Sequence, residues 1–445
     1  MPVRYPKDLA KHVHSHLAST KSAYPSLAAM EDLFETMYIA SLKREEAEAV
    51  TCRLAFVDRA NPDPESPKRI PEDRWKHFAL EHDIPLTVRN LVKLSKAVDP
   101  WSSTLAVDVD SKDGLRIWGL IDQSVHHNTF VMQETDRGPQ MPGAFQAVIE
   151  GVGEVAVYRR VTFIGRLRQD ILITREMGVL QGGPIHDKLL PAIKQFQQNI
   201  KMDVGQNRYE ERSHWDASFE DEWLSVLSRV LIGIQHYGHG GAILISDSNE
   251  GLSPRYSLKY PRLPQALYRA GLLKVRGTAL SDKIHQEYID TATHGSTMPV
   301  GLHMAEAVAR RALEETEDEV KGCIRFLSSL SRVDGLIWLK HDLSLQGFGV
   351  VITTEEDPDQ AHRAKTVAGT NTIPIDINNF GTRHRSMIRQ CSKDPESVGF
   401  VISQDGDVRA ITSVNHKTVM WENIRLQRFT NARPARANSK NLSRN

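Results

Sequence analysis

The chain is short of cysteine, of charge imbalance and of long apolar runs, and each shortage removes a class of protein. Only Cys52, Cys323 and Cys391 occur in 445 residues. They lie far apart without a CxxC pair, so neither a structural zinc site nor a disulfide framework is implied. Such sparse cysteine suits a reducing compartment, and a cytoplasmic location is expected. Lys+Arg and Asp+Glu both number 56, so no global field draws the protein toward nucleic acid or an anionic membrane. No apolar run approaches the roughly 20 residues that span a bilayer. The opening "MPVRYPKDLAKHVHSHL" also lacks the continuous apolar core of a signal peptide. What remains is a soluble chain long enough for two or three domains, each with its own core.

Residues 1 to about 100 read as mostly helical, with a break at "RANPDPESPKRIPED" (59–73) that proline keeps out of a helix. After Trp101 the pattern alternates. "STLAVDVDSKDGLRIWGLID" does so on both sides of Asp113-Gly114, which marks a hairpin. "AVIEGVGEVAVYRRVTFIGRL" (147–167) repeats the signal, with Gly151 and Gly153 at a turn. Residues 1–205 are therefore expected to form an α+β domain with an antiparallel meander. "QGGP" (181–184) leads into an expected helix, "HDKLLPAIKQFQQNIK", and the polar stretch after it sets the boundary near 205.

From Glu222 the pattern becomes α/β. Trp223, Leu227, Val230 and Ile234 recur at helical spacing before the strand in "GHGGAILISD". Val320, Ile324, Leu327 and Leu330 do the same before "VDGLIWLKHD", so helix, Gly-containing turn and apolar strand occur twice, two matches too short to establish an internal duplication. "GFGVVIT", "SVGFVIS" and "VRAITSV" add short strands. Residues 206–424 are thus expected to form an α/β domain, a mixed twisted sheet flanked by helices. The basic tail 425–445 reads as a solvated, disordered end rather than a nucleic-acid arm.

Two features carry chemistry. Asp334 opens a strand with Gly335 beside it; an acid there can hold a divalent cation, and glycine lets a ligand approach the backbone. Taken alone, Asp-Gly is a turn. In "NNFGTRHRSM" (378–387), Gly381 permits a tight turn, Thr382 offers a hydroxyl, and Arg383 and Arg385 offer planar forks suited to phosphate. His384 can donate a hydrogen bond to phosphate, or carry charge if an anion favours its protonation. A solvated basic loop is the plain alternative. Together the two features suggest a metal–triphosphate site, a carboxylate for the cation and arginines for the departing pyrophosphate.

The string "VDGL…GFGVVI…GTRHRSM…SVGFVISQDGDVRAI" (333–410) resembles the diadenylate cyclase domain. That family is marked by Asp-Gly-Ala at a strand start, then Gly-Thr/Ser-Arg-His-Arg-Ala-Ala, then a Val-Ser-Glu-Glu-type strand end. The resemblance implies that two ATP molecules, one per subunit, meet face to face and condense into cyclic di-AMP and two pyrophosphates with Mg²⁺ or Mn²⁺. It implies a homo-oligomer with at least one such facing pair of catalytic domains. Asp334 would bind the metal and help activate the 3′-hydroxyl. Gly335 would lie against the nucleotide, with Leu336 beside it. Gly381, Thr382, Arg383, His384 and Arg385 would hold the triphosphate. The backbone near Ile352 would contact adenine, Ser403 at the strand end would also bind the nucleotide, and Asp405 would be the acid left for a second metal contact.

The chain departs from the family at Leu336, where Ala is usual and added bulk beside the nucleotide is expected. It departs again at Ser386-Met387, at Ser403-Gln404-Asp405, and in a longer segment between Ile352 and Gly381 that would be a surface loop or a lid. These departures keep two other readings open: a degenerate nucleotide-binding sensor, and a cyclase making a different cyclic dinucleotide. The first 200 residues resemble the sensor regions that precede such cyclases, with an unknown ligand or partner. His12, His14 and His16 read as surface histidines, and "HYGHGGA" around His236 and His239 as a tight helix-to-strand turn. Neither nucleic-acid nor membrane partners are expected.

Overall fold

Alternating apolar side chains build two separate sheets, each with its own core. In the computed structural model the described residues are 3–19, 24–60, 76–99, 103–109, 114–122, 144–159, 162–206, 209, 214–294, 300–404 and 406–426. Most of the proline-rich break, Trp101, Asp113, Asp405 and the tail from 427 lie outside them. The chain divides into two units between Glu176 and Met177.

The first unit begins with two helices, α1 (Pro6–Ala18) and α2 (Leu27–Ser41). Pro6 occupies the first turn of α1, where a missing N–H removes no helical bond, and the Ser26 hydroxyl caps α2 by accepting from the Ala29 N–H. Leu9, Val13 and Leu17 of α1 and Met30, Leu33, Phe34 and Met37 of α2 form the buried stripes. A small hairpin follows, β1 (Arg44–Glu45) and β2 (Glu48–Ala49), then β3 (Cys52–Phe56), β4 (Lys76–Pro85), α3 (Val88–Leu94), β5 (Ser103–Val109) and β6 (Leu115–Asp122). The unit's strands end with β7 (Phe145–Gly151), β8 (Glu154–Arg159), β9 (Thr162–Arg168) and β10 (Ile171–Ile173).

The eight-stranded order is β10-β9-β8-β7-β3-β5-β6-β4. The expected β5–β6 hairpin and the β7–β10 meander are present, with Gly153 at φ +70 in the β7–β8 turn. The expectation that the first hundred residues are mostly helical needs correcting. "CRLAF" is too short to make a helix; it forms central strand β3, antiparallel to β7 but parallel to β5, so the sheet is mixed.

One face of this sheet holds a buried ionic cluster. Arg166 meets Glu150 at 2.7 Å and Glu154 at 3.4 Å, Arg168 meets Glu154 at 3.0 Å, and the Tyr158 hydroxyl donates to Glu150 at 2.8 Å. Burial pushes the Glu154 carboxyl above its ordinary value despite these arginines. Burial also opposes the charge on Arg166, but Glu150, Tyr158 and Glu154 outweigh it and raise its pKa. Arg166→Met keeps the bulk and leaves Glu150 with the Tyr158 hydroxyl and Glu154 with Arg168. It is expected to cost about 1–3 kcal/mol, read as a lower midpoint in thermal unfolding of the full chain. An unchanged midpoint would mean the cluster is not a coupled network.

The second unit starts with α4 (Pro184–Val204) and α5 (Trp215–His236), then β11 (Gly241–Ile245), β12 (Leu252–Tyr260) and two long helices, α6 (Arg262–His294) and α7 (Val300–Ser329). It continues with β13 (Leu336–Leu339), β14 (Leu345–Ile352), β15 (Ala361–Ala364), β16 (Thr372–Pro374), α8 (Thr382–Lys393), β17 (Val398–Ile402), β18 (Val408–Val414) and β19 (Lys417–Trp421). The nine-stranded order is β12-β14-β13-β11-β17-β18-β19-β15-β16, with β11–β13 and β15–β19 parallel and the other pairs antiparallel. A mixed sheet with helices was expected, and the strands in "GAILI", "LIWL", "GFGVVI", "VGFVI" and "VRAITSV" are all present.

Helix α8 covers one face: its Met387, Ile388 and Cys391 share a core with Ala242, Leu244, Leu336, Trp338, Val401 and Ile411. On the other face α5 approaches β11 closely enough that a methyl group on Gly241 would sit 2.7 Å from the Ile234 side chain. Helix α7 is tied to α5 by the Ser328 hydroxyl, which donates to the Val230 carbonyl.

Helix α4 belongs to the second unit, although the boundary expected near 205 places it in the first. Its Phe196 packs edge-on against Phe219 of α5 and joins a cluster with Ile200, Trp215 and Val275. The long segment before Gly381 is neither a free surface loop nor a lid along its whole length. It adds edge strands β15 and β16, and the Trp421 indole fastens it by donating to the Thr366 and Val367 carbonyls at 3.0 and 3.1 Å.

Candidate functional site

Parallel pairing brings the starts of two strands to one edge of the second sheet. Ile243 of β11 lies opposite Ile337 of β13. β11 begins at Gly241 and β13 at Leu336, so Gly240 and the Asp334-Gly335 pair precede these two neighbouring strands at one edge. Antiparallel β17 delivers its last residue to the same edge, since Ile402 pairs with Gly241, and Ser403 and Gln404 follow there. Strand β14 also ends at this edge: Val350 pairs with Leu336, and Ile352 is the last residue of the strand. Four strand ends therefore converge where the Asp-Gly pair sits.

Helix α8 aims its N-terminus at that edge. The Ser246 hydroxyl, just past β11, donates at 2.5 Å to Asp394 at the helix C-cap, which fixes the opposite end of the helix at the opposite edge. Gly381 is the N-cap and no side chain caps the helix. The first turn carries no acid and itself holds Arg383 and Arg385, so these charges add to the helix's positive end instead of offsetting it. The turn at Gly381 needs no glycine, contrary to expectation: φ is −64°, which any residue adopts. A methyl group there would meet nothing within 4 Å, so the missing side chain serves to keep the helix end open.

The basic triplet divides its work. Arg383 is exposed, yet its Nη1 lies 3.1 Å from where a Gly240 methyl would be, with the Gln404 N–H 3.3 Å from the same point. This puts the guanidinium at the start of β11, the strand paired in parallel with β13. The Arg385 Nε is buried and has no hydrogen-bond partner among the described residues. His384 meets Arg409 of β18, whose Nη1 lies 3.0 Å from its Nε2. Thr382 is exposed at the first position of the helix.

Asp334 is exposed, and among the described residues its carboxylate has no ion-pair partner. Gly335 is at φ +118, and a methyl group on it would fall 2.4 Å from the Gly349 carbonyl carbon. Leu336 differs from expectation. Its side chain is 5% exposed and packs with Met387 and Ile388, so its bulk goes into the core and not beside a ligand. Ile352 is half-buried against the same core. Ser403 closes a turn, its hydroxyl donating to the Asp407 carbonyl at 3.1 Å. Asp405 lies outside the described residues. Burial pushes the Cys391 thiol up to about 12, which keeps it protonated and rules it out as a nucleophile at neutral pH.

Sequence reasoning missed the ionic network behind His384. Arg409 Nε lies 3.0 Å from Asp407 and 3.4 Å from Glu422, and Glu422 meets Arg363 at 3.3 Å. In "VRAITSV" Arg409 is simply the polar step of an alternating strand, and nothing local marks its partner. Of the histidines expected at the surface only His16 is exposed: His12 is half-buried, meeting the Ile164 carbonyl at 2.9 Å, and His14, also half-buried, packs edge-on against Tyr24. His236 ends α5, and Gly238 and Gly240, at φ +67 and +66, make the tight turn into β11.

Residues 19–122 match a family model described as probable sensor domain DACNV. The matched span lies in the first unit and does not reach the edge described above. No curated protein and no solved structure matches the chain. Among the described residues no helix is long and apolar enough to cross a membrane.

Proposed function

We infer that the second unit is a diadenylate cyclase, condensing two ATP into cyclic di-AMP and two pyrophosphates across a pair of chains, under the control of a sensor region in the first unit. The observation that carries this reading is the convergence of Asp334-Gly335, the α8 N-terminus and Arg383 on one sheet edge. An exposed, unpartnered carboxylate and an open, acid-free helix end are what a metal-bound triphosphate needs at its two ends. The Gly-Thr-Arg-His-Arg string and a sensor-type match ahead of it support the same reading.

A divalent cation fits this donor set in one way. Among the described residues no group of three or more His, Cys, Asp or Glu could hold a metal ion, so Asp334 would share Mg²⁺ or Mn²⁺ with phosphate oxygens of the substrate, the usual habit of such sites. The cation would supply charge neutralisation on the phosphates. The chain's own residues do the rest. In this reading the Asp334 carboxylate draws the proton from a 3′-hydroxyl as its oxygen bonds to the α-phosphorus of the opposing ATP. The bond to the β-phosphate breaks, and Arg383 and Arg385 hold the pyrophosphate that leaves. Gly335 lets the β14 backbone close on the turn that carries Asp334, which fixes where that side chain starts. One chain holds one ATP, so two chains must meet.

The burial of Leu336 bears on the rival readings. Its side chain is spent on core packing, which removes one motive for a degenerate sensor and leaves base choice to other residues. The full-length protein with ATP and Mn²⁺ or Mg²⁺ is expected to give one cyclic dinucleotide per two pyrophosphates on HPLC, with specific activity rising with protein concentration. Tight ATP binding without turnover in an oligomeric protein, under every metal tried, would convert the reading to that of a sensor.

A further inference from the structure

We propose that Arg409 is a positioning residue that locks the His384 imidazole in the neutral tautomer protonated on Nδ1, and that it does so on an anchor of its own made by Asp407, Glu422 and Phe380. This rests on the reading of His384 as part of a triphosphate-binding turn. Arg409 stands on β18, opposite Val401 of β17, and 25 positions from His384 in sequence. A guanidinium has only donors, so the 3.0 Å contact between Arg409 Nη1 and His384 Nε2 requires Nε2 to accept. The ring's proton is then on Nδ1, because the hydrogen bond made by one ring nitrogen sets the other. An imidazolium would bring a second cation and a second N–H against the guanidinium.

The guanidinium is itself held from three sides. Its Nε lies 3.0 Å from Asp407, which is almost wholly buried, and 3.4 Å from Glu422. Its carbon lies 5.7 Å from the centroid of the Phe380 ring, and that ring is 5.9 Å from the His384 ring. Phe380 directly precedes the α8 N-cap, so the same aromatic side chain touches both members of the pair. Two carboxylates flank Arg409, Glu422 being shared with Arg363, one aromatic ring braces it, and Nη1 meets the imidazole.

The consequence is a division of labour inside the basic triplet. Charge on the departing pyrophosphate is met by Arg383, Arg385 and the helix end, whereas the Arg409 contact argues against His384 as a charge carrier.

The test uses the full chain labelled with ¹⁵N-histidine, with His384→Gln assigning the resonance. Long-range ¹H–¹⁵N correlation without nucleotide is expected to show His384 neutral and protonated on Nδ1. Arg409→Lys keeps a cation for Asp407 and Glu422, so the strand stays folded, but its single ammonium cannot also reach Nε2. In this variant the tautomer is expected to be lost, and dinucleotide formation is expected to fall roughly 100-fold in kcat, with KM for ATP changed less than threefold. Arg409→Met is expected to lose the tautomer and also to unfold at lower temperature, because Asp407 is stranded. An Nε2-protonated or charged His384 in the unaltered protein overturns the proposal, as does an unchanged tautomer in Arg409→Lys. The spectrum is read without substrate, so it decides the matter even if the protein makes no dinucleotide, an outcome that would count against the cyclase reading alone.

Discussion

Asp334→Asn is expected to cut dinucleotide formation from ATP by at least about 1,000-fold, near 4 kcal/mol in the barrier, while ATP still binds. Asparagine keeps the shape of the side chain and its exposure, so the strand start is not disturbed. What it loses is the anionic oxygen, which both grips a cation and receives a proton. The phosphate end is untouched: Arg383, Arg385 and the uncapped α8 N-terminus remain. Binding is therefore expected to weaken only several-fold, and the loss should fall on kcat. Calorimetry with ATP and Mn²⁺, beside the HPLC assay, separates the two quantities. An Asn variant that retained a tenth of the activity would remove Asp334 from the chemistry, and with it the paired-nucleotide reading of this edge.

Several of the elements that make this edge were legible in the sequence because they are local. "GAILI", "VGFVI" and "VRAITSV" are short apolar or alternating runs bounded by turn residues, and each is a strand. The glycines at 238 and 240 announce the turn that their positive φ angles confirm. The turn read into Gly381 falls where α8 begins, at Thr382, although the sequence alone does not name the helix.

What escaped depends on partners far away in the chain. β3 reads as part of a helical region until β7 and β5 close on it from both sides. β15 and β16 are only four and three residues long, and they become strands by pairing with β19 and with each other. α4 has an apolar stripe that its own sequence cannot assign to one unit or the other; Phe219 and Trp215 decide it. Arg409 shows the same limit at the site, since an alternating strand reveals which residue is polar but not which side chain it will meet.

The other large effect concerns Gly335, and it tests whether the Asp-Gly pair is held by the fold or merely adjacent to it. Gly335→Ala is expected to destabilise the protein by at least about 3 kcal/mol, through strain at a backbone conformation that L residues rarely adopt together with a forced contact. At φ +118 an added methyl group would sit 2.4 Å from the Gly349 carbonyl carbon, 2.7 Å from its Cα and 2.8 Å from the Val350 nitrogen. All three are backbone atoms of β14, so no side chain can swing aside. The strand itself must move, and it is the strand that ends at Ile352 on the candidate edge. Gly349 cannot yield easily, because it is also at positive φ, +59, and packs close to the Asp334 carbonyl. Gly381→Ala supplies the contrast within the same site. With φ −64 and open space around it, that change is expected to cost no more than about 1 kcal/mol, the usual difference at a helix N-cap. Denaturant unfolding of the two variants side by side measures the gap, and equal losses would mean that Asp334 is not positioned by the crossing of β13 and β14.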